Sequence, residues 1–343
     1  VPTINERLDV MTEHPPLAMQ FRGTTADECR KWQAEFAAKL RSLLGPYQPP
    51  EQWSASKIDS HTIAFDDHTR EEWVLTADGV PPVPLYLLVP KSASTNHKTP
   101  GILALHGHGQ FGHDPVAGVD NTPELKAAIA DANYDYGRQL VRRRYVVVAP
   151  CFTPFGRRLG KPGGLRTDAC TQAYLRLQYF GKLLIAENLR DALWSLEFLA
   201  QHAAVDPERL ACVGLSYGGR MTMLTSALSP RIRAAVVSGA MNCFQERTRS
   251  IAVSGCQIIP GLLEYGDVPE IGSLIAPRPC VWEAGLQDSL MKQPWCDEIG
   301  ARLRRAYTAL GAESNLHVDR FEGRHEWHGE VAYPVLRAAL GSA

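Results

Sequence analysis

Residues 210–228 read Leu-Ala-Cys-Val-Gly-Leu-Ser-Tyr-Gly-Gly-Arg-Met-Thr-Met-Leu-Thr-Ser-Ala-Leu. The run 210–213 is wholly apolar and too short for a helix, as expected of a strand buried on both faces. Residues 220–228 read as a helix. Between them Gly214-Leu215-Ser216-Tyr217-Gly218-Gly219 forms a G-x-S-x-G turn. A turn this sharp costs most residues backbone energy, and glycines at 214, 218 and 219 leave room for it and for close helix–strand packing. The turn would present the Ser216 hydroxyl above a sheet. The following helix would aim its N-terminal N–H groups at developing negative charge. The bland reading, a packed turn with an idle serine, loses ground because the motif sits between a strand and a helix.

Outward from this turn the same alternation recurs. Strand candidates at 102–105, 145–149, 234–238, 280–284 and 316–321, most of them short apolar runs, alternate with amphipathic segments, the pattern of a mostly parallel sheet flanked by helices. One helix is marked by Ile185, Leu189, Ala192, Leu193, Leu196, Leu199 and Ala200 at helical spacing. Asp206-Pro207 is expected to break the pattern before the next strand. Upstream, a helix over 26–44 ends at Gly45-Pro46. Two β-prone runs, 72–76 and 83–89, flank Asp78-Gly79 as a hairpin. The expected organisation is an N-terminal helical extension over 1–70 and a catalytic unit over 71–343. Residues 240–279 form an inserted region near the site, because 241–279 is long for a connection between strands.

In such sheets chemistry gathers in loops beyond the carboxyl ends of the strands. Ser216 needs a base. Among eleven histidines, His325 stands just past the last strand, after Glu322-Gly323-Arg324. The strand before it, 280–284, is followed by Gly285-Leu286-Gln287-Asp288, so Asp288 is the candidate acid. Glu283 is the alternative, but within the strand it suits a helix-facing or polar-network role better. The first sheet strand ends in His106-Gly107-His108-Gly109-Gln110. Its loop suggests the backbone N–H of His108 as one oxyanion donor, with Tyr217 N–H as the other, and His106 as a brace. Each such donor is worth roughly 10²–10³ in rate. The chain order Ser216, Asp288, His325, each in a loop after a strand, is that of α/β-hydrolases.

The chain resembles bacterial α/β-hydrolases of the acetyl-xylan-esterase-like type, related to the dienelactone-hydrolase-like clan. The likeness is carried by Leu105-His106-Gly107-His108-Gly109, Asp135-Tyr136-Gly137, Tyr145-Val146-Val147-Val148-Ala149-Pro150 and Val213-Gly214-Leu215-Ser216-Tyr217-Gly218-Gly219-Arg220. It continues through Ile259-Pro260-Gly261-Leu262-Leu263, Tyr265-Gly266-Asp267 and Ile275-Ala276-Pro277-Arg278-Pro279, then Glu283-Ala284-Gly285 with Asp288 and Phe321-Glu322-Gly323 with His325-Glu326. It runs from about residue 70 to the end. The resemblance implies the α/β-hydrolase fold, a Ser216–His325–Asp288 triad, a His108/Tyr217 oxyanion hole, and cofactor-free ester hydrolysis, with acetyl esters of carbohydrates among the substrates. Dienelactone hydrolases proper carry cysteine where this chain has Ser216. The elbow is also similar to that of prolyl-type oligopeptidases, whose large propeller the roughly 100 upstream residues could not build.

Composition removes other classes. The 343 residues carry 36 Lys and Arg against 37 Asp and Glu, a formal net charge of −1, without the basic excess of a general nucleic-acid binder. The densest basic run, Arg142-Arg143-Arg144, reads as a solvated helix end. There is no membrane-length apolar segment and no apolar signal core, so a cytoplasmic location is expected. The eight cysteines include no C-x-x-C pair and read as free buried thiols, with one disulfide left open, for example Cys151–Cys170. The expected partner is a small-molecule or carbohydrate ester, with no nucleic acid and no membrane; a homo-oligomer is left open.

Two rival classes remain. A metal-dependent hydrolase would use His106, His108 and His113. The run His325-Glu326-Trp327-His328 fails the helical zinc motif, because Gly329 stands where its second histidine is needed. The second rival is a non-catalytic binding protein on the same fold. The glycines at 160–164 lack the phosphate-loop pattern. Trp282, Trp295 and Trp327 read as core, with pocket lining as the alternative.

Overall fold

The computed structural model describes residues 2–160, 168–250 and 253–341. Ten strands form one sheet: β1 (Ser54–Lys57), β2 (Ile63–Ala64), β3 (His68–Ala77), β4 (Val80–Pro90), β5 (Thr99–Leu105), β6 (Val146–Pro150), β7 (Val205–Leu215), β8 (Ile232–Ser238), β9 (Cys280–Gly285) and β10 (Leu316–Phe321). Their order is β1-β3-β4-β6-β5-β7-β8-β9-β10, with β2 also on β3. Pairings from β1 to β6 are antiparallel, and those from β6 to β10 are parallel. β3 and β4 make the hairpin around Asp78-Gly79, with Ala77 opposite Val80. The sheet begins at β1, inside the first 70 residues.

Side chains alternate across the sheet with the two-residue period of a strand. Leu103, Leu105, Val146, Val148, Cys212, Val237 and Trp282 enter one apolar core. Their neighbours Ile102, Ala104, Val147, Ala149, Val213, Val236 and Val281 enter the other. Burial on both faces explains why these strands read as unbroken apolar runs.

Helices cover both faces: α1 (Ile4–Glu13), α2 (Ala26–Leu44), α3 (Pro123–Ala132), α4 (Tyr136–Arg142), α5 (Ala169–Gln178), α6 (Leu184–Gln201), α7 (Tyr217–Leu228), α8 (Phe244–Ser250), α9 (Leu262–Tyr265), α10 (Val268–Ser273), α11 (Gln293–Ala309) and α12 (Ala332–Leu340). α3, α4 and α12 contribute to the second core, while α2, α6, α7, α10 and α11 contribute to the first. A capping box of Thr25 and Glu28 starts α2, and Gly45 at φ 69° ends it. Its buried face, Cys29, Trp32, Phe36, Leu40 and Leu44, repeats at helical spacing.

The N-terminal segment docks on the 241–279 stretch. The N–H groups of Leu17, Ala18 and Met19 donate to the carbonyls of Leu263, Glu264 and Tyr265, and Gln33 Nε2 donates to the Ser273 and Ala276 carbonyls. No described helix is long and apolar enough to cross a membrane.

One local expectation is corrected. Asp206 and Pro207 lie inside β7 rather than ahead of it. Pro100 pairs with Asp206 and Gly101 with Leu210, so residues 207–209 bulge out while the strand continues. The Asp206 carboxylate accepts from Glu208 N and Arg209 Nε, which satisfies the interrupted ladder locally. The basic run ends α4 as expected, with the Arg143 guanidinium 3.6 Å over the Tyr333 ring. Beyond Gly160, the 160–164 glycine stretch lies outside the described residues.

The strand order fixes where a site can form. From β5 the chain moves to β6 on one side, then returns to place β7 on the other. The connections therefore diverge above β5 and β7, opening a crevice at their carboxyl ends. Leu105 and Gly214 are register partners there.

Candidate active site

The turn after β7 carries its strain on the serine itself. Ser216 has φ 64° and ψ −121°, a conformation costing a non-glycine residue of order 1–3 kcal/mol. The cost is offset by over-determination. Ser216 N–H donates to Ser238 O at 2.8 Å, and α7 starts immediately after. The flanking glycines serve close approach. A Cβ on Gly218 would lie 1.8 Å from Leu105 O, and one on Gly214 would lie 2.5 Å from the Gly218 backbone.

The loop after β5 lies against this turn. A Cβ on Gly107 would meet Leu215 O at 2.8 Å and Ser216 Cβ at 3.0 Å. Gly107 N–H donates to the Tyr134 hydroxyl at 2.6 Å, and Tyr136 OH donates to Leu105 O. His106 is fully buried. Its Nε2 accepts from Phe152 N–H at 2.9 Å, so its Nδ1–H donates to Gly107 O at 2.7 Å. It braces the loop, and burial pushes its pKa down to about 4.

Tyr217 is anchored by its ring and hydroxyl. Asn188 Nδ2 donates to the Tyr217 hydroxyl at 2.8 Å, and the ring packs against Phe152, Phe155 and His108. Asn188 also bonds Thr153 N and O, fixing the 152–155 segment beneath the turn.

Asp288 follows β9 and His325 follows β10. Their loops are joined by Leu286 N–H to Phe321 O and Gln287 N–H to Gly323 O, both 2.9 Å. Asp288 Oδ2 accepts from His325 Nδ1 at 2.6 Å, and Oδ1 accepts from Leu290 N–H at 2.8 Å. The carboxylate is buried while the imidazole is about one-third exposed. Glu283, the alternative acid, is fully buried, and burial raises its pKa. It accepts from the N–H groups of Gly329 and His328, so it braces the far end of the histidine loop.

Ser216 and His325 line one cavity of about 250 Å³ together with His108, Gly109, Phe111, Gly112, Pro115, Ala128, Ala132 and Tyr134. The structure therefore brings Ser216, His325 and the His108 loop to one opening, with Asp288 behind His325. The lining from 111 to 134 was not anticipated. Its small residues and single phenylalanine carry no distinctive sequence pattern, and only tertiary packing marks them. Residues 241–279 contribute no described lining residue to this cavity; their approach is Cys256, whose Sγ lies 3.0 Å from His108 Nε2.

The His106, His108 and His113 set does not assemble as ligands, because both His106 nitrogens are committed to backbone groups. All eight cysteines are free and buried, so Cys151 and Cys170 are unpaired. Cys170 instead neighbours Cys256 and His108: hydrogen bonding from Cys256, then His108, draws the Cys170 pKa down, while burial raises that of Cys256. Trp282 and Trp327 are core residues, Trp327 stacking on Tyr136, and Trp295 packs at the edge of the first core.

Comparison with known proteins agrees with this architecture. Residues 182–246, spanning α6 to the start of α8, match the prolyl oligopeptidase family. YtaP of Bacillus subtilis (strain 168), named as a candidate hydrolase, is 27% identical over 311 residues, 89% of this chain and 98% of YtaP. A candidate acetyl xylan esterase from Bacteroides fragilis NCTC 9343 superposes with a TM-score of 0.79 at 18% identity, over 94% of this chain and 83% of that one. A glucuronoyl esterase from Solibacter usitatus superposes with a TM-score of 0.68 at 14% identity, over 95% and 97%. With the parallel sheet, its switch at β5 and the strained serine turn after β7, these likenesses show the α/β-hydrolase fold.

Proposed function

We propose that the chain is a carboxylic ester hydrolase working through a Ser216–His325–Asp288 triad, a covalent acyl-serine and no cofactor. The observation that carries this reading is the 2.6 Å His325 Nδ1–Asp288 Oδ2 bond behind a cavity that Ser216 and His325 share. That bond commits the Nδ1 proton to the carboxylate and leaves the Nε2 lone pair to act as base.

Ser216 Oγ attacks the ester carbonyl as His325 Nε2 takes its proton. The oxyanion is held by the backbone N–H groups of His108 and Tyr217. His325 then protonates the departing alcohol. It next activates water, whose attack releases the acid and regenerates Ser216. Asp288 holds the ring and stabilises its charged form.

A cavity of 250 Å³ lies below the range of about 300–1,000 Å³ of drug-sized pockets, which favours a short acyl group such as acetyl. The structural neighbours named as acetyl xylan and glucuronoyl esterases support carbohydrate esters as the substrate class. The test is turnover of p-nitrophenyl esters and acetylated sugars, with fluorophosphonate labelling. Ser216→Ala should abolish both labelling and turnover; near wild-type turnover in that variant would refute the mechanism.

A further inference from the structure

Three metal-ligating side chains, none used as side chains in the ester chemistry, converge beside the loop after β5. The donor atoms of His108, Cys170 and Cys256 all lie within 4.8 Å of one another, with His108 Nε2 and Cys256 Sγ 3.0 Å apart. They come from three distant segments: the loop after β5, the first turn of α5, and a 3-10 turn over Gly255–Gln257. The two cysteine-bearing segments are tightly apposed, since a Cβ on Gly255 would lie 2.7 Å from Tyr174 Cβ and 2.9 Å from Cys170 O. Both cysteines are buried, whereas His108 is exposed.

We propose that His108, Cys170 and Cys256 form a site for a borderline-soft divalent cation, Zn²⁺ above all, with a fourth coordination position left for solvent. Two sulfurs and an imidazole suit zinc and disfavour the oxygen-seeking Mg²⁺ and Ca²⁺. Zn–N of about 2.0–2.1 Å and Zn–S of about 2.3 Å imply tetrahedral edges of about 3.6 Å (N···S) and 3.8 Å (S···S). The three donors already lie within 4.8 Å of one another. The His108 Nε2–Cys256 Sγ pair, now at 3.0 Å, must open by about half an ångström, a shift made at an exposed imidazole.

Local features favour thiolates here. Cys170 is the second residue of α5, where the helix N-terminus favours negative charge. The Ser254 hydroxyl lies 3.4 Å from Cys256 Sγ. Binding replaces two S–H bonds with two Zn–S bonds and releases two protons to solvent. The cation would tie three segments together and hold the loop that contains the His108 N–H.

The test needs no esterase activity, so its failure is distinct from failure of the ester reading. The full chain is stripped with a chelator under reducing conditions. It is then titrated with Zn²⁺ against a chromophoric chelator, and separately with Co²⁺. One equivalent of Zn²⁺ should bind, Co²⁺ should give a near-ultraviolet thiolate charge-transfer band, and Tm should rise with Zn²⁺. Cys170→Ser and Cys256→Ser should each weaken Zn²⁺ binding about 100-fold or more. Absence of the cobalt–thiolate band in the wild-type chain would overturn the proposal, whatever the variants do. So would unchanged affinity in both folded variants. A Cys170–Cys256 disulfide in freshly isolated protein, with no metal uptake after reduction, would also overturn it.

Discussion

Gly239 lies directly against the His325 imidazole. A Cβ at position 239 would sit 2.9 Å from His325 Cε1 and 3.3 Å from Nδ1. Gly239 also has φ 56° and donates its N–H to Glu283 O at 3.0 Å. The end of β8 thus supplies a side-chain-free floor on which the ring rests.

Gly239→Ala should therefore displace the imidazole. Misplacing a catalytic group by about 1 Å can cost on the order of 10² in rate, and the positive φ adds about 1–2 kcal/mol of strain. The expected outcome is a fall of about 100-fold in kcat/KM on p-nitrophenyl acetate, with a folded protein of lowered Tm. Unchanged kcat/KM would show that the ring does not need this seat.

Asp288→Asn should preserve the loop, because an asparagine Oδ1 still accepts the Leu290 N–H bond. The amide would meet His325 Nδ1 with a donor and force the wrong tautomer. In a serine triad this costs about 10⁴ in kcat. Stopped assays of purified variant and wild type, with melting curves as the folding control, measure it.

Ala132 lines the cavity from the end of α3. Ala132→Phe should fill part of the 250 Å³ without touching Ser216, Asp288 or His325. Turnover of p-nitrophenyl butyrate should fall more than about tenfold, while acetate changes less than about threefold. Equal loss on both esters would assign the 111–134 segment a purely structural role.

Stability should decline in acid through the buried histidines. Burial lowers the His106 pKa from 6.5 to about 4 and holds that of His113 well below 6.5. These rings stay neutral in the fold but bind protons when unfolded. The unfolded chain therefore binds more protons as pH falls below 6.5, and stability is lost until about pH 4. For His106 the loss is about 3 kcal/mol. His113 Nδ1 is buried without a hydrogen-bond partner, so His113→Phe should make the decline shallower. Urea unfolding from pH 7 to pH 4 checks both.

Much of the architecture was legible in the chain. Buried parallel strands must be apolar on both faces, so 102–105, 234–238 and 280–284 stood out, and the helix over 26–44 was bounded by its own cap and glycine. Glycines spaced around Ser216 marked a turn with no space for side chains. The break at Asp206-Pro207 misled, because a bulge and a strand end share the same local residues and differ only in what the chain does on the partner strand.

Sequence alone determined which residues are candidates, since residue chemistry and periodicity are local properties: Ser216 between a strand and a helix, Asp288 and His325 each just past a strand. Their meeting was decided by tertiary structure. The switch at β5 opens the crevice, backbone bonds join the acid and histidine loops, and Gly239 seats the ring. The cavity wall from Phe111 to Tyr134 and the His108–Cys170–Cys256 cluster were likewise invisible in order along the chain. Contacts between residues tens to more than a hundred positions apart depend on the packing of whole strands and helices, which no local pattern encodes.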